Sequence, residues 1–516
     1  MQHVGGYGAK LALRLAYDLC LKLLVGVAAA ALLSACAVGP DFHRPAAPAV
    51  SGYTVQPPAA ATTSADVAGG EEQRFVQGGD ISQQWWTLFQ SPQLSALIGK
   101  SLKTNPTVDA AQAALRLAWE NVYAQQGFFY PTIQGNFTAS RQRTSATLSP
   151  ALNSSDTLFS LYTAQVTVGY APDVFGGNRR QVESLTALAE SQRFQLEATY
   201  LTLTSNVVAA AVQEASVRAQ IAATKGIIEA VTKSRDLLRR QFELGYVAGL
   251  DVAAQETALA QAQATLPPLQ KQLELTRDLL AALAGGFRSQ EPEETFELDA
   301  LQLPQELPVS LPSKLVEQRP DVRAAEAQLH AASAQIGVAI ANMLPQITIS
   351  AATGGTATEF SQMFAPGNPF WTVAAGATQT IFAGGTLLHR KRAAEAAFEQ
   401  AAAQYRSTVI TAFQNVTDTL YALQSDADTL KAAVAAERAA KVSLDLTLKQ
   451  QQVGYVNYLA LLSAQQAYQQ TVVNLVQARA NRFADTTALF QALGGGWWNR
   501  PEGAAAQTNT QGSERH

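Results

Sequence analysis

The chain has 516 residues and a formal net charge of -4, from 37 Lys and Arg against 41 Asp and Glu, so we expect no nucleic acid partner. Apolar residues make up 47% of the chain and charged residues only 15%, which excludes a largely disordered protein. There are only two cysteines, Cys20 and Cys36, which excludes a disulfide framework and a cysteine-based zinc site. The five histidines are far apart in the sequence. We therefore expect no catalytic site, no metal and no cofactor.

Residues 1–35 are predicted to be a signal peptide. Lys10, Arg14 and Lys22 precede an apolar run that is shorter than the ~20 residues of a membrane-spanning helix. The run ends in Leu-Ser-Ala-Cys at 33–36, which resembles a bacterial lipobox. We therefore predict cleavage before Cys36 and a covalent lipid on its thiol. The alternative is an ordinary signal peptide followed by an incidental cysteine.

Residues 36–80 are rich in Pro, Ala and Thr, and this composition predicts a lipidated, extended N-terminal linker. The chain then repeats itself: a first repeat covers 81–300, a second covers 301–498, and 499–516 form a flexible tail. Four landmarks recur in the same order, about 208–214 residues apart, which indicates a duplicated module rather than a solenoid. They pair 130–133 with 344–347, 175–178 with 383–386, 244–247 with 453–456, and 284–285 with 493–494.

Each repeat contains two predicted strands, at about 131–143 and 158–174 in the first and about 345–354 and 370–382 in the second. In all four, uncharged polar side chains alternate with apolar ones over about ten residues, as in a transmembrane strand with a polar lumen face and an apolar lipid face. A soluble, half-buried hairpin shows the same alternation, so this alternative stays open on the pattern alone. Because closed barrels need about eight strands, four must be shared with other copies.

A long helical hairpin follows the strands of each repeat, at about 182–284 and about 387–493. The run 387–452 contains neither Pro nor Gly and as a helix would extend ~100 Å. Its apolar residues alternate spacings of four and three, the pattern of a coiled-coil seam. The seam residues are Val409, Phe413, Val416, Leu420, Leu423, Ala427, Leu430 and Val434. In the first hairpin, Pro267 and Pro268 are predicted to end one helix and start another.

Several motifs carry a specific family resemblance. The lipobox continues as CAVGPDFHRP at 36–45, WWTLF follows at 85–89, and Asn-Pro stands at 105–106. The strongest motif is QRPDVRAAEA at 318–327, preceded by LPS at 311–313. In this order, and with the duplication, the chain resembles the outer-membrane efflux lipoproteins, the NodT branch of the TolC-like outer-membrane factors. The resemblance covers roughly residues 36–498.

The resemblance implies a mainly α-helical protein with a transmembrane β-barrel part. Three protomers would each give four strands to a twelve-stranded barrel, that is, a closed sheet, and their hairpins would form a helical tunnel through the periplasm. The implied function is the outer-membrane channel of a tripartite efflux system, a passive gated path for drugs or other small toxic compounds. The resemblance also implies that the protein forms a homotrimer and contacts outer-membrane lipid. Its other implied partners are a periplasmic adaptor and an inner-membrane pump of the resistance-nodulation-division (RND) type.

Three other functions are weighed against this one. The same fold could serve type I protein secretion, although the lipobox and the NodT-like start argue against it. A lipid-anchored periplasmic coiled-coil scaffold without a pore is a second alternative. An enzyme is the third, and the absence of a plausible nucleophile and base argues against it.

The hairpin tips are the candidate periplasmic aperture. The candidate residues are Gly245, Tyr246 and Asp251 in the first tip and Gly454, Tyr455 and Ser463 in the second. TolC-like channels commonly carry Asp in the second tip, in a pattern like Leu-Asp-Val-Leu-Asp-Ala, but these positions here are Ala460 and Ser463. For Asp251 we expect an N-cap role in the next helix, with an acidic ring as the alternative. We hypothesise that the closed aperture relies on packing around Gly454 and Tyr455 more than on carboxylates.

The Arg-Pro-Asp-Val-Arg motif at 319–323 is interpreted as structural. Pro320 suits the first turn of a helix, and the helix dipole favours Asp321 near its N-terminus. A contact with the exported compound is not expected from this motif.

Overall fold

The computed structural model describes residues 37–50, 52–54, 59–143, 158–290 and 295–500. They fall into two compact units, and each unit draws on both sequence repeats. Of the described residues, the first unit contains 37–44 together with those in 116–190 and 326–404, and the second contains those in 45–115, 191–325 and 405–500. The repeats are therefore not separate compact units, because the four long strands of both halves belong to the first unit and most of the helical residues of both halves belong to the second.

The described residues form eight α-helices and six strands. The helices are α1 (Pro92–Thr104), α2 (Pro106–Gln126), α3 (Gly177–Glu243), α4 (Gly249–Leu283), α5 (Pro312–Gln318), α6 (Pro320–Ala341), α7 (Thr386–Gln452) and α8 (Tyr458–Ala492). The strands are β1 (Arg74–Gln77), β2 (Thr132–Arg143), β3 (Leu158–Tyr170), β4 (Glu306–Val309), β5 (Gln346–Ala357) and β6 (Pro369–Thr378). No helix in these described ranges is both long and apolar enough to cross a membrane.

The first unit contains an antiparallel four-stranded sheet with the order β2-β3-β5-β6. Strand β3 ends at Tyr170, four residues before the predicted boundary, because Pro172 has no N–H to donate to a ladder and Asp173 is used to bind the main-chain N–H groups of Asn178 and Arg179. Strand β5 runs three residues beyond its predicted end, and β6 ends four residues before its own. Strands β2 and β6 are the two edges.

Helices α3 and α7 each have 67 residues, which corresponds to a length of ~100 Å. The predicted seam of α7 is confirmed, because seven of its eight residues are buried and Phe413 is half-buried. Its residues Leu430 and Val434 pack against Ala478 of α8.

The predicted break at Pro267 and Pro268 is wrong. Helix α4 is continuous from Gly249 to Leu283 and contains both prolines in its interior. The two missing N–H groups release two carbonyls of the preceding turn. This turn is largely exposed, so water is available to those carbonyls.

The core of the second unit explains the tryptophan motif. Trp85, at 1% exposure, stacks on Phe490 of α8 with ring centroids 5.1 Å apart. Phe89 of the same motif is also buried and packs near Phe483. In the same unit, strand β1 pairs in parallel with β4.

The segment predicted as an extended linker is bound to the second unit over much of its length. Its backbone is mostly irregular, but Tyr53 donates to the Ser310 carbonyl and Thr63 donates to Asp428. Arg482 of α8 donates to the carbonyls of Gly69 and Glu71. The start of the predicted flexible tail is bound as well, through an ion pair between Arg500 and Glu197. The rest of the tail, from 501, lies outside the described residues.

Candidate functional site

The register of the four-stranded sheet brings the alternating side chains of all four strands onto common faces. One row across the sheet pairs Ile133 with Val168, Val168 with Ala351, and Ala351 with Val373. Residues directly opposite each other in a ladder point to the same side, so this row is apolar throughout. We call the side of the sheet on which these side chains lie the apolar face.

The opposite side, which we call the polar face, collects uncharged polar groups. The neighbouring row consists of Gln134, Thr167, Ala352 and Thr372. Asn136 donates its side-chain N–H to the Thr167 hydroxyl at 3.3 Å, and the hydroxyl groups of Thr163 and Thr356 lie 3.0 Å apart. A sheet with one apolar and one uncharged polar face is suited to separate lipid from water.

Both edges of this sheet are open in the protomer. Every residue of β2 is exposed, as is every residue of β6 except Phe370. An exposed edge strand presents unpaired N–H and C=O groups that are a template for pairing with another chain. Strands β2 and β6 therefore each offer an edge that can pair with a further strand.

The two hairpin tips use the same helix-ending motif. At the end of α3, Gly245 has a φ of 78° and the Tyr246 N–H donates to the Gln241 carbonyl at 2.8 Å. At the end of α7, Gly454 has a φ of 77° and the Tyr455 N–H donates to the Gln450 carbonyl at 2.8 Å. A positive φ is accessible to glycine without strain, so both candidate glycines are required by the turn itself.

Asp251 is not the N-cap of α4, so the prediction of an N-cap role is wrong. The N-cap is Ala248, which has no side-chain acceptor, and Asp251 stands three residues later in the first turn. At the second tip the equivalent cap is Asn457, whose side chain accepts the Ala460 N–H at 3.0 Å. Burial raises the pKa of the Tyr458 phenol, the half-buried Asp251 adds a smaller effect in the same direction, and the resulting pKa is about 12.

The packing at the tips is centred on Tyr458, which the sequence analysis did not single out. Tyr458 is 6% exposed and packs with Leu461 against Leu238 of α3 and Val252 of α4. The predicted residue Tyr455 is 87% exposed, Tyr246 is 78% exposed, and Ser463 is exposed too. Aligning the two repeats could have indicated Tyr458, because this large side chain stands in the second tip where the first tip has Gly249.

Cys36 lies outside the described residues, but the residues that follow it are bound to α3 by hydrogen bonds and an ion pair. Arg180 of α3 donates to the carbonyls of Val38 and Gly39 and forms an ion pair of 2.7 Å with Asp41. This hydrogen bond and charge hold the pKa of the Asp41 carboxyl below its usual range.

A few residues on, Arg44 pairs with Glu326 at 3.0 Å, and Phe42 stacks on His330 with ring centroids 4.4 Å apart. Both partners belong to α6. Residues 37–44 are therefore fixed to two helices of the first unit.

The Arg-Pro-Asp-Val-Arg motif forms structural contacts. Helix α6 begins at Pro320 with Asp321 in its first turn, as predicted. Arg319 is buried, binds both Asp321 carboxylate oxygens at 3.0 and 2.7 Å, and donates to the Ala492 carbonyl at 2.8 Å. The motif therefore joins the start of α6 to the end of α8 within the second unit.

Comparison with known proteins decides what this architecture belongs to. The family described as outer membrane efflux protein matches residues 97–286 and 311–495, which is more than half of the chain. This chain is an outer membrane efflux protein. It is 30% identical to the toluene efflux pump outer membrane protein TtgC of Pseudomonas putida, over 95% of this chain and 98% of that relative.

Two further relatives support the same assignment. Outer membrane protein OprJ of Pseudomonas aeruginosa is 28% identical and covers 90% of this chain and 94% of its own length. The solved structure of the outer-membrane channel OprN superposes with a TM-score of 0.80 at 25% identity, covering 90% of this efflux protein and all of that chain. The predicted family, the mainly α-helical fold with its four-stranded sheet, and the outer-membrane location are thus confirmed, and the efflux function is favoured over protein secretion.

Proposed function

We propose that three copies of this efflux protein close their four-stranded sheets into one twelve-stranded sheet. The observation that carries the proposal is the alignment of apolar side chains on one face of a sheet whose two edges are unpaired. Pairing β6 of one copy with β2 of the next gives the N–H and C=O groups of both edge strands hydrogen-bond partners. The apolar face then meets lipid and the polar face lines the lumen.

The uncharged lumen supports a passive duct rather than a binding site or an enzyme. Hydroxyl and amide groups along the polar face offer hydrogen bonds without a fixed charge, so small compounds of different kinds pass with little discrimination. The energy comes from an inner-membrane pump of the RND type, joined through a periplasmic adaptor. The relative TtgC is named for toluene efflux, and small, toxic, largely apolar compounds are the cargo we propose here.

A covalent lipid on Cys36 completes the proposal. The lipobox supports it, and so does the position of Cys36 as the one cysteine remaining after signal-peptide cleavage. Because residues 37–44 are held by Arg180 and α6, the lipid would be attached at a fixed place on the first unit. Mass spectrometry of the mature N-terminal peptide should find acyl groups on Cys36, and an unmodified thiol there would contradict it.

The closed sheet is tested by cross-linking its edges. We expect purified protein carrying Gly135→Cys in β2 and Ala375→Cys in β6 to form disulfide-linked species up to a trimer under mild oxidation. Each single variant is the control and should give at most a dimer. Light scattering in detergent should give three times the protomer mass, and a monomer that conducts ions in planar bilayers would contradict the proposal.

A further inference from the structure

Only two charged residues occur in the four strands of the large sheet, and they stand together. They are Arg141 and Arg143, in the last three positions of β2. Both are exposed. A charge on a membrane-spanning strand is costly at the bilayer centre, so the height and the face of these two arginines need a physical explanation.

The register places both arginines on the apolar face. Arg141 lies opposite Ser160 and Arg143 opposite Leu158, in the same alternation that pairs Ala139 with Tyr162 and Ile133 with Val168. Gln142, between them, belongs to the polar face. The two guanidinium groups are therefore on the side of the sheet that we propose meets lipid, not on the lumen side.

The arginines lie at the end of the sheet that is farther from the start of α3. Strand β5 stops at Ala357, opposite Tyr162, so Arg141 and Arg143 lie beyond it. Along β2, with a rise of ~3.4 Å per residue and a tilt of ~40°, Arg141 stands about 20 Å and Arg143 about 26 Å above Ile133. An apolar band of about 25 Å ends at this height.

Aromatic side chains mark the same boundary just below the arginines. Phe360, in the connection between β5 and β6, packs edge-on against Phe137 and Tyr162, with ring centroids 6.0 and 6.1 Å away. All three rings contact the apolar face, and aromatic girdles are found at the membrane interface. At the opposite end of the sheet, the terminal side chains on this face include Ile133, Tyr170 and Ile347, and none of these carries a charge. The cationic boundary is therefore confined to the outer end.

We propose that Arg141 and Arg143 bind the phosphate groups of an anionic lipid in the outer leaflet of the membrane. The guanidinium fork matches a phosphate bidentately, and the long side chain reaches the headgroup region while its stem stays beside acyl chains. Within the described residues neither arginine forms an ion pair. The inference rests on the proposed closed sheet, in which the trimer presents six such guanidinium groups around its outer rim.

The test compares the intact protein with the double variant Arg141→Gln, Arg143→Gln, both purified in detergent. The probe is a diphosphorylated lipid A, titrated by native mass spectrometry beside the same lipid without phosphates and beside inorganic phosphate. Because both cations near the anionic headgroups are removed, the double variant should lose at least about tenfold in lipid A affinity. The phosphate-free lipid should bind both proteins equally weakly.

A matched control moves the charge to the other face. Adding Gln142→Arg to the double variant restores a cation at the same height on the polar face, and we expect no recovery of lipid A binding. Full recovery, equal affinity of intact protein and double variant, or equally tight binding of inorganic phosphate would each overturn the inference. Trimer mass and conductance are measured on every variant. If the intact protein forms no trimer, that result contradicts the proposed function and not the lipid-binding inference.

Discussion

Gln73 and Arg482 are both completely buried and are joined by a hydrogen bond of 3.1 Å from the guanidinium group to the amide oxygen. Arg482 also donates to the Thr62 hydroxyl and to the carbonyls of Gly69 and Glu71. These four acceptors all lie in the segment that the sequence predicted as a linker. A single buried cation of α8 therefore fixes this segment to the second unit.

The first prediction concerns this cation. Arg482→Met should lower the free energy of unfolding by about 2–4 kcal/mol, because several buried acceptors lose their donor. Arg438→Met is the matched control, because Arg438 pairs with Asp66 of the same segment while both side chains are more than half exposed, and exposed pairs contribute about 0–1 kcal/mol. Thermal unfolding in detergent and proteolysis of residues 59–77 measure both. Equal effects of the two variants would contradict the account.

The second prediction is a pH dependence. Burial raises the pKa of Asp426 on α7 to about 7, the neighbouring Asp485 of α8 adds to this, and Arg482 opposes it. Because the folded protein holds a proton that the unfolded chain releases near pH 4, the free energy of unfolding should fall as the pH rises from about 4 to 7 and then level off. Asp426→Asn should flatten this slope, as measured by hydrogen exchange of α7 and α8 at several pH values.

The control for this pH effect is Asp428→Asn. Asp428 is exposed, two residues from Asp426, and accepts a hydrogen bond from Thr63. Its removal should leave the slope between pH 4 and 7 unchanged. A slope that persists in Asp426→Asn would mean that another group in this region titrates.

The third prediction uses the two faces of the sheet. Val166→Arg and Val373→Arg should reduce membrane assembly, at about 2–4 kcal/mol for each site near the bilayer midplane. Gln165→Arg should be much milder, because Gln165 is on the polar face beside Val166. The amount of heat-modifiable trimer in the membrane fraction measures the difference. Comparable losses at positions 165 and 166 would contradict the assignment of the faces.

The fourth prediction concerns the hairpin tips. If the aperture closes mainly by packing, divalent cations should block the wild-type channel weakly, and Ser463→Asp should strengthen the block by adding three carboxylates. Single-channel recordings on wild type, Ser463→Asp and Asp251→Ala measure it. A strong wild-type block that disappears in Asp251→Ala would show that the first tip carries an acidic ring.

Tyr458 extends this prediction. Its ring packs between the two hairpins against Leu238 and Val252, so Tyr458→Ala should loosen the tips and raise the fraction of time the channel is open. Tyr455→Ala is the control within the same tip, because Tyr455 lacks such packing in the protomer. A larger effect of Tyr455→Ala would place the decisive contact between protomers instead.

The sequence predicted those features that a short-range pattern determines. The faces of the strands follow from a period of two, and the seam of α7 from spacings of three and four, so Val166, Gln165 and Val416 could be placed before the structure was known. Features that depend on distant partners were not predictable. Nothing near Gln73 in the chain indicates that Arg482 binds it, because 409 residues separate them.

Local rules also failed where the surroundings override them. Pro267 and Pro268 usually interrupt a helix, but solvent-exposed carbonyls tolerate the missing donors in α4. Asp251 is a good N-cap residue by type, yet the chain enters α4 at Ala248, three residues earlier. Asn457 is the N-cap of α8. In the aligned repeats Asn457 corresponds to Ala248, so this alignment would have predicted Ala248 as the N-cap of α4.

The most direct test of the central claim asks which face of the sheet lines the pore. Gln165→Cys and Val166→Cys proteins are reconstituted in planar bilayers and exposed to a positively charged, membrane-impermeant methanethiosulfonate reagent, with wild type as the control for Cys36. We predict that the current through the Gln165→Cys channel changes in steps while the Val166→Cys and wild-type currents stay constant. An unchanged current in Gln165→Cys, or an equal change in Val166→Cys, would contradict a lumen lined by the polar face.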